Sequence, residues 1–102
     1  MTDSDNMKRV TEEAVEHYGY KHQTIKCIEE VGEFLQALGR YNIAPEGELT
    51  LQAESNLQEE IADALIMLQQ MRLIYGPKDI DWWINFKLNR LEEQIEKEKR
   101  SV

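Results

Sequence analysis

Residues 61–71 are nearly all apolar, and one carboxylate, Asp63, stands inside the run. A helix that is apolar on every side has to be surrounded. This stretch therefore predicts a central helix with other helices packed about it. Burying an isolated carboxylate is expensive. Asp63 needs a cationic or hydrogen-bonding partner, a metal ion or a raised pKa. From the residue alone, a structural Asp bonded to a Lys, a Tyr or a helix end stands beside a metal ligand.

The rest of the chain reads as helices of ordinary length. A first helix is expected over 6–18, capped by Ser4 or Asp5, with Met7, Val10, Ala14 and Tyr18 on one stripe and Gly19 as its stop. A second runs from about His22 to Tyr41, with Ile25, Ile28, Leu35 and Leu38 as its apolar stripe and Gly32 completing the line. A glycine inside a helix costs about 1 kcal/mol against alanine, so Gly32 suggests that a backbone or a ligand comes close. Residues 42–49, with Pro45 and Gly47, read as a loop. Thr50 can cap a third helix that ends at Tyr75, before Gly76 and Pro77. A fourth begins at Asp79 or Asp81 and ends near Lys99, with Ile80, Trp83, Ile84, Leu88, Leu91 and Ile95 as its buried stripe. Trp82 and Phe86 fall off that stripe and leave apolar surface for a second subunit to cover. No strand pattern and no repeat interrupts this reading. The expected fold is all-α, an antiparallel four-helix bundle in one domain over 1–102.

Composition excludes several function classes. Twenty acidic residues against twelve basic ones leave a net charge of −8. That disfavours binding to nucleic acid backbones, which needs a basic face. The longest apolar run, 64–68, is far too short to span a membrane, and the N-terminus lacks the apolar core of a signal peptide. The single cysteine, Cys27, forms no internal disulfide. A cytoplasmic, soluble protein is expected.

Two acidic pairs carry the candidate chemistry. Glu30 and Glu33 lie three residues apart on the second helix, and Glu60 and Asp63 lie three apart on the third. Residues at that spacing share a helix face. If the helices pack side by side, four carboxylates meet, and close pairs repel by roughly 4 kcal/mol at an effective dielectric near 20. A hard divalent cation between them is the natural remedy. A solvated acidic face is the alternative, and Glu29 belongs to it or supports the site from behind. A carboxylate-bridged di-iron site needs Glu-x-x-His pairs. The residues three before His17 and His22 are Ala14 and Gly19, so that signature is absent.

The pattern Glu29-Glu30-x-x-Glu33, followed by Glu60-x-x-Asp63 in an apolar helix, resembles the signature of the all-α nucleoside triphosphate pyrophosphatases. These include the MazG-like enzymes, the dimeric dUTPases, the dCTP pyrophosphatases and the phosphoribosyl-ATP pyrophosphohydrolases. Tyr18-Gly19, Gln23 and Phe86-Lys87-Leu88 are similar to short MazG-like members, including those of phages, and the likeness covers roughly 18–95. It implies that Glu30, Glu33, Glu60 and Asp63 hold Mg²⁺, with Mn²⁺ able to substitute. It implies hydrolysis of a nucleoside triphosphate, chiefly a dNTP, to a monophosphate and pyrophosphate. Lys87 matches a family lysine that contacts phosphate, and Arg90 shares its face. Leu91 stands where some members carry a second phosphate contact. Lys26 is a further cationic candidate. Tyr18 and His22 are the candidates for holding the base. A homodimer or homotetramer is implied as well. Two other readings stand beside the hydrolase: a non-catalytic helical dimer that binds another protein, and a family member that binds nucleotides without turning them over.

Overall fold

The computed structural model describes residues 2–43 and 51–101, with the side chain of residue 43 excepted. The expected loop over 42–49 and the Thr50 cap fall almost wholly outside these. The described residues form four helices: α1 (Asp3–Tyr18), α2 (Tyr20–Ile43), α3 (Leu51–Tyr75) and α4 (Pro77–Arg100). No strand occurs among the described residues.

Local chemistry sets the boundaries. Thr2, rather than Ser4 or Asp5, caps α1: its hydroxyl accepts from the Asp5 N–H at 3.1 Å, which starts the helix three residues early. Gly19 has φ +86°, a region that residues with a Cβ avoid, and it joins α1 to α2 as a single-residue break. Its N–H donates to the Val15 carbonyl, while its own carbonyl accepts from Gln23 and so opens α2. Gly76, at φ +115°, is a like break between α3 and α4, and its carbonyl accepts from Ile80. Pro77 then occupies the first helical position, where a missing N–H costs nothing.

α2 packs on α3, α1 touches both, and α4 touches α3 alone among the described residues. The α2–α3 pair runs antiparallel. Gln23 near the start of α2 bonds Gln70 near the end of α3, and seven residues inward from each, Glu30 meets Asp63. The heart of the fold is small: Cys27, Ala64 and Met67, with Thr11, Gln23 and Gln70.

Several apolar stripes lie elsewhere than their spacing predicts. On α2 the inward face is Gln23, Cys27, Val31 and Phe34, whereas Ile25, Ile28 and Leu35 are more than half exposed. On α1 the inward position is Thr11, and Val10 and Tyr18 face out. Thr11 tolerates burial because its hydroxyl donates to the Met7 carbonyl at 2.6 Å. In the 61–71 segment only Ala64, Met67 and Gln70 are buried, and Leu65 and Leu68 are exposed. Ile84, Leu88, Leu91 and Ile95 of α4 are exposed as well. Among the described residues α4 leaves α3 at Gly76 and does not lie back over α1 or α2, so its own stripe stays uncovered. The radius of gyration is accordingly 17.3 Å, against about 13 Å for a compact chain of this length. An ion pair ties the start of α4 to the end of α3: Arg72 grips both Asp81 oxygens, at 2.7 and 2.5 Å.

Candidate functional site

The antiparallel seam between α2 and α3 carries polar residues at heptad spacing, and these form the site. Glu30 from α2 and Glu60 and Asp63 from α3 each present a carboxylate oxygen, all within 4.8 Å of one another. All three are partly buried. A cleft of about 190 Å³ opens beside them, lined by Lys26, Glu30, Asp63, Ile66 and Met67.

Glu60 is the strained member. Its Oε2 atom is buried and has no hydrogen-bond partner. Burial raises its pKa above the ordinary carboxylate value, and the charges of Glu33, Asp63, Glu30 and Glu59 push the same way. An acceptor-only oxygen left unpaired in a crowd of negative charge fits a hard cation, which takes oxygen donors in just such sets.

One cation is already present. Lys26 Nζ lies 3.3 Å from Glu30 Oε1 and 4.0 Å from Glu29 Oε2. The Glu30 hydrogen bond raises the Lys26 pKa. Lys26 thus offsets part of the charge, but among the described residues no ion pair reaches Glu60 or Asp63.

The structure brings together three of the four predicted ligands. Glu33, the fourth, is exposed and outside the trio, though near enough for its charge to act on Glu60. Glu29 is exposed and faces Lys26. Tyr18 and His22 stack face to face across Gly19, with centroids 5.0 Å apart and planes at 15°. Lys87 and Arg90 do not line the cleft and make no ion pair among the described residues. They stand exposed on α4, where Arg90 lies 5.9 Å from the centre of the Phe86 ring.

Sequence reasoning missed the buried amide pair. Gln23 Nε2 donates to Gln70 Oε1 at 2.7 Å, and both side chains are buried. A signal was available: Gln70 sits in the same apolar run as Asp63, seven residues on, and a buried amide needs partners as surely as a carboxylate does.

No family model, no curated protein and no solved structure matches this chain.

Proposed function

We propose that the protein is a Mg²⁺-dependent nucleoside triphosphate pyrophosphohydrolase acting in the cytoplasm, chiefly on dNTPs. The observation that carries the reading is the unpaired, buried Glu60 oxygen within 4.8 Å of Glu30 and Asp63 oxygens. Glu30, Glu60 and Asp63, with Glu33 beside them, would hold the ion, and Mn²⁺ can substitute. When bound, such an ion neutralises triphosphate oxygens and favours deprotonation of a water. In the reaction, water adds to the α-phosphorus, the α–β anhydride bond breaks and pyrophosphate leaves.

The chain's own groups do the rest. Tyr18 and His22, stacked on each other, are the groups this reading offers to the base. Lys87 and Arg90 supply the donors that phosphate charge requires. Since neither lines the cleft of its own chain among the described residues, the reading has them reach the carboxylates from a second copy.

Self-association has its own support. The exposed Ile84, Leu88, Leu91 and Ile95 follow the alternating four-and-three spacing of a helix seam. Ile25, Ile28 and Leu35 of α2 form a second open stripe, and Gly32 within it has nothing within 4 Å of where its Cβ would stand. Open apolar faces of this extent mark an interface. A homodimer or homotetramer that covers both stripes would complete an antiparallel four-helix arrangement about each site.

The Lys26–Glu30 pair favours a second reading, a non-catalytic helical dimer that binds another protein, since part of the acidic charge is already answered within the chain. Incubation with a panel of dNTPs and NTPs, with and without Mg²⁺, separates the two. Metal-dependent release of monophosphate and pyrophosphate is expected. Intact triphosphates throughout would sink the hydrolase and leave a non-catalytic protein.

A further inference from the structure

A directed chain of hydrogen bonds runs from the α3 backbone to the surface of α2. Gln70 Nε2 lies 3.4 Å from the Ile66 carbonyl oxygen and 3.5 Å from the Met67 sulfur. Gln23 Nε2 lies 2.7 Å from Gln70 Oε1. His22 Nδ1 lies 2.6 Å from Gln23 Oε1. Amide orientation and imidazole tautomer are fixed by whatever partner has no choice. Here that partner is the Ile66 carbonyl, which only accepts. Gln70 must turn its NH₂ towards it, which leaves the Gln70 oxygen facing Gln23. Gln23 must then donate to Gln70 and offer its own oxygen to His22. The neutral imidazole can satisfy that oxygen only with its proton on Nδ1. The opposite polarity would set the Gln70 oxygen against the Ile66 carbonyl, acceptor facing acceptor, and leave the Gln70 oxygen without a donor.

We infer that His22 is a specificity residue, and that Gln23 and Gln70 are positioning residues holding it in the Nδ1–H tautomer with Nε2 as an outward acceptor. No other hydrogen bond reaches the ring among the described residues, and the side chain is exposed. Tyr18 stacks on its face and limits its rotation. His22, Lys26 and Glu30 follow one another at four-residue steps, one ridge of α2. His22 and Glu30 are eight residues apart, about 12 Å of helix, a span suited to a nucleotide. The ligand class is a nucleobase that turns a donor, an exocyclic amine or a ring N–H, towards Nε2. The ligand rests on the hydrolase reading above; the tautomer does not.

The test is long-range ¹H–¹⁵N correlation on the ¹⁵N-labelled full chain at neutral to mildly basic pH, with His17→Gln to assign the two histidines. His22 is expected to show a protonated Nδ1 and a bare Nε2, the reverse of the usual preference of free imidazole. Gln70→Met keeps the shape but removes the polarity, and should return His22 towards the Nε2–H form. Should that variant not fold, Gln23→Glu is read instead; its carboxylate only accepts, so the Nδ1–H form should persist. An Nε2–H tautomer in the wild type overturns the inference, as does an unchanged tautomer in folded Gln70→Met or its loss in Gln23→Glu. The four 2′-deoxynucleosides, deoxyuridine and N3-methyldeoxyuridine probe the ligand without phosphate, metal or turnover. At least one nucleoside whose base carries a donor should move the Nε2 resonance, and N3-methyldeoxyuridine should not. A response to N3-methyldeoxyuridine equal to the others, or no response to any of them, overturns the specificity role. A positive result with no pyrophosphate release in the panel assay would sink the hydrolase and leave His22 standing.

Discussion

Lys26 and Glu30 stand one turn apart on α2 and form an ion pair of 3.3 Å at the edge of the carboxylate cluster. Lys26 is therefore a built-in competitor for the proposed cation. Lys26→Met should lower the melting temperature of the metal-free protein, because three close carboxylates lose their nearest positive charge. It should also tighten Mg²⁺ binding by roughly two- to fivefold, the scale of an exposed ion pair. Isothermal titration reads the second effect. Weaker Mg²⁺ binding in the variant would instead make Lys26 part of the binding site.

Glu60 dictates a pH dependence. Its folded pKa is raised above the ordinary 4.5, chiefly by burial. The folded state therefore favours the protonated form. The stabilisation is complete below the unfolded value and is lost as pH rises through the folded one. Metal-free protein should accordingly melt higher near about pH 5 than near about pH 8, and Glu60→Gln should flatten that slope. Asp81 acts in a separate window. Arg72 lowers its pKa below the ordinary 3.8, so its contribution is lost only as pH falls beneath that value. Differential scanning fluorimetry across pH, in chelator, decides whether Glu60 behaves this way. A flat wild-type profile would contradict it.

Asp63→Asn should cut pyrophosphate release by about 10²- to 10³-fold, the usual cost of one preorganised electrostatic contact. The metal-free protein should be as stable as the wild type or more so, since one of several crowded charges is gone. Retained turnover, or collapse of the metal-free fold, would assign Asp63 a structural role.

The open apolar stripes predict self-association. Leu88→Asp with Leu91→Lys places charge on the α4 seam and should shift the protein to monomer. Each leucine is already about half exposed, so each has roughly 1 kcal/mol left to gain on burial. Their loss alone weakens association by at least tenfold. Gly32→Leu tests the α2 stripe. Within one chain nothing stands within 4 Å of the added carbon, so helicity should hold or rise while association falls. Sedimentation analysis with circular dichroism reads both. A wild type that is monomeric at high concentration would refute the interface.

How far the sequence disclosed this arrangement depended on whether a signal was local. The stops at Gly19 and Gly76 were legible because positive φ belongs to glycine. The meeting of Glu30, Glu60 and Asp63 was legible because a carboxylate in an apolar run demands company. The inward face of α2 was not: Ile25, Ile28 and Leu35 make a better apolar stripe than Gln23, Cys27 and Phe34, yet face out. Periodicity identifies an apolar face but not whether the same chain covers it. The same limit explains α4: its spacing predicts core, yet among the described residues α4 touches only α3. Spacing also could not separate Glu33 from the trio, since Glu30 and Glu33 share a face but differ by a turn in depth.

Mg²⁺ titration followed by thermal melting, on the wild type and on Glu60→Gln, tests the carboxylate centre most directly. A ligand that binds only the native state at a hundred times its dissociation constant adds about 2.7 kcal/mol. The wild type should show a saturable rise in melting temperature at millimolar Mg²⁺, and Glu60→Gln should lose most of it. No rise in the wild type, or an equal rise in the variant, would mean that Glu30, Glu60 and Asp63 do not bind the cation.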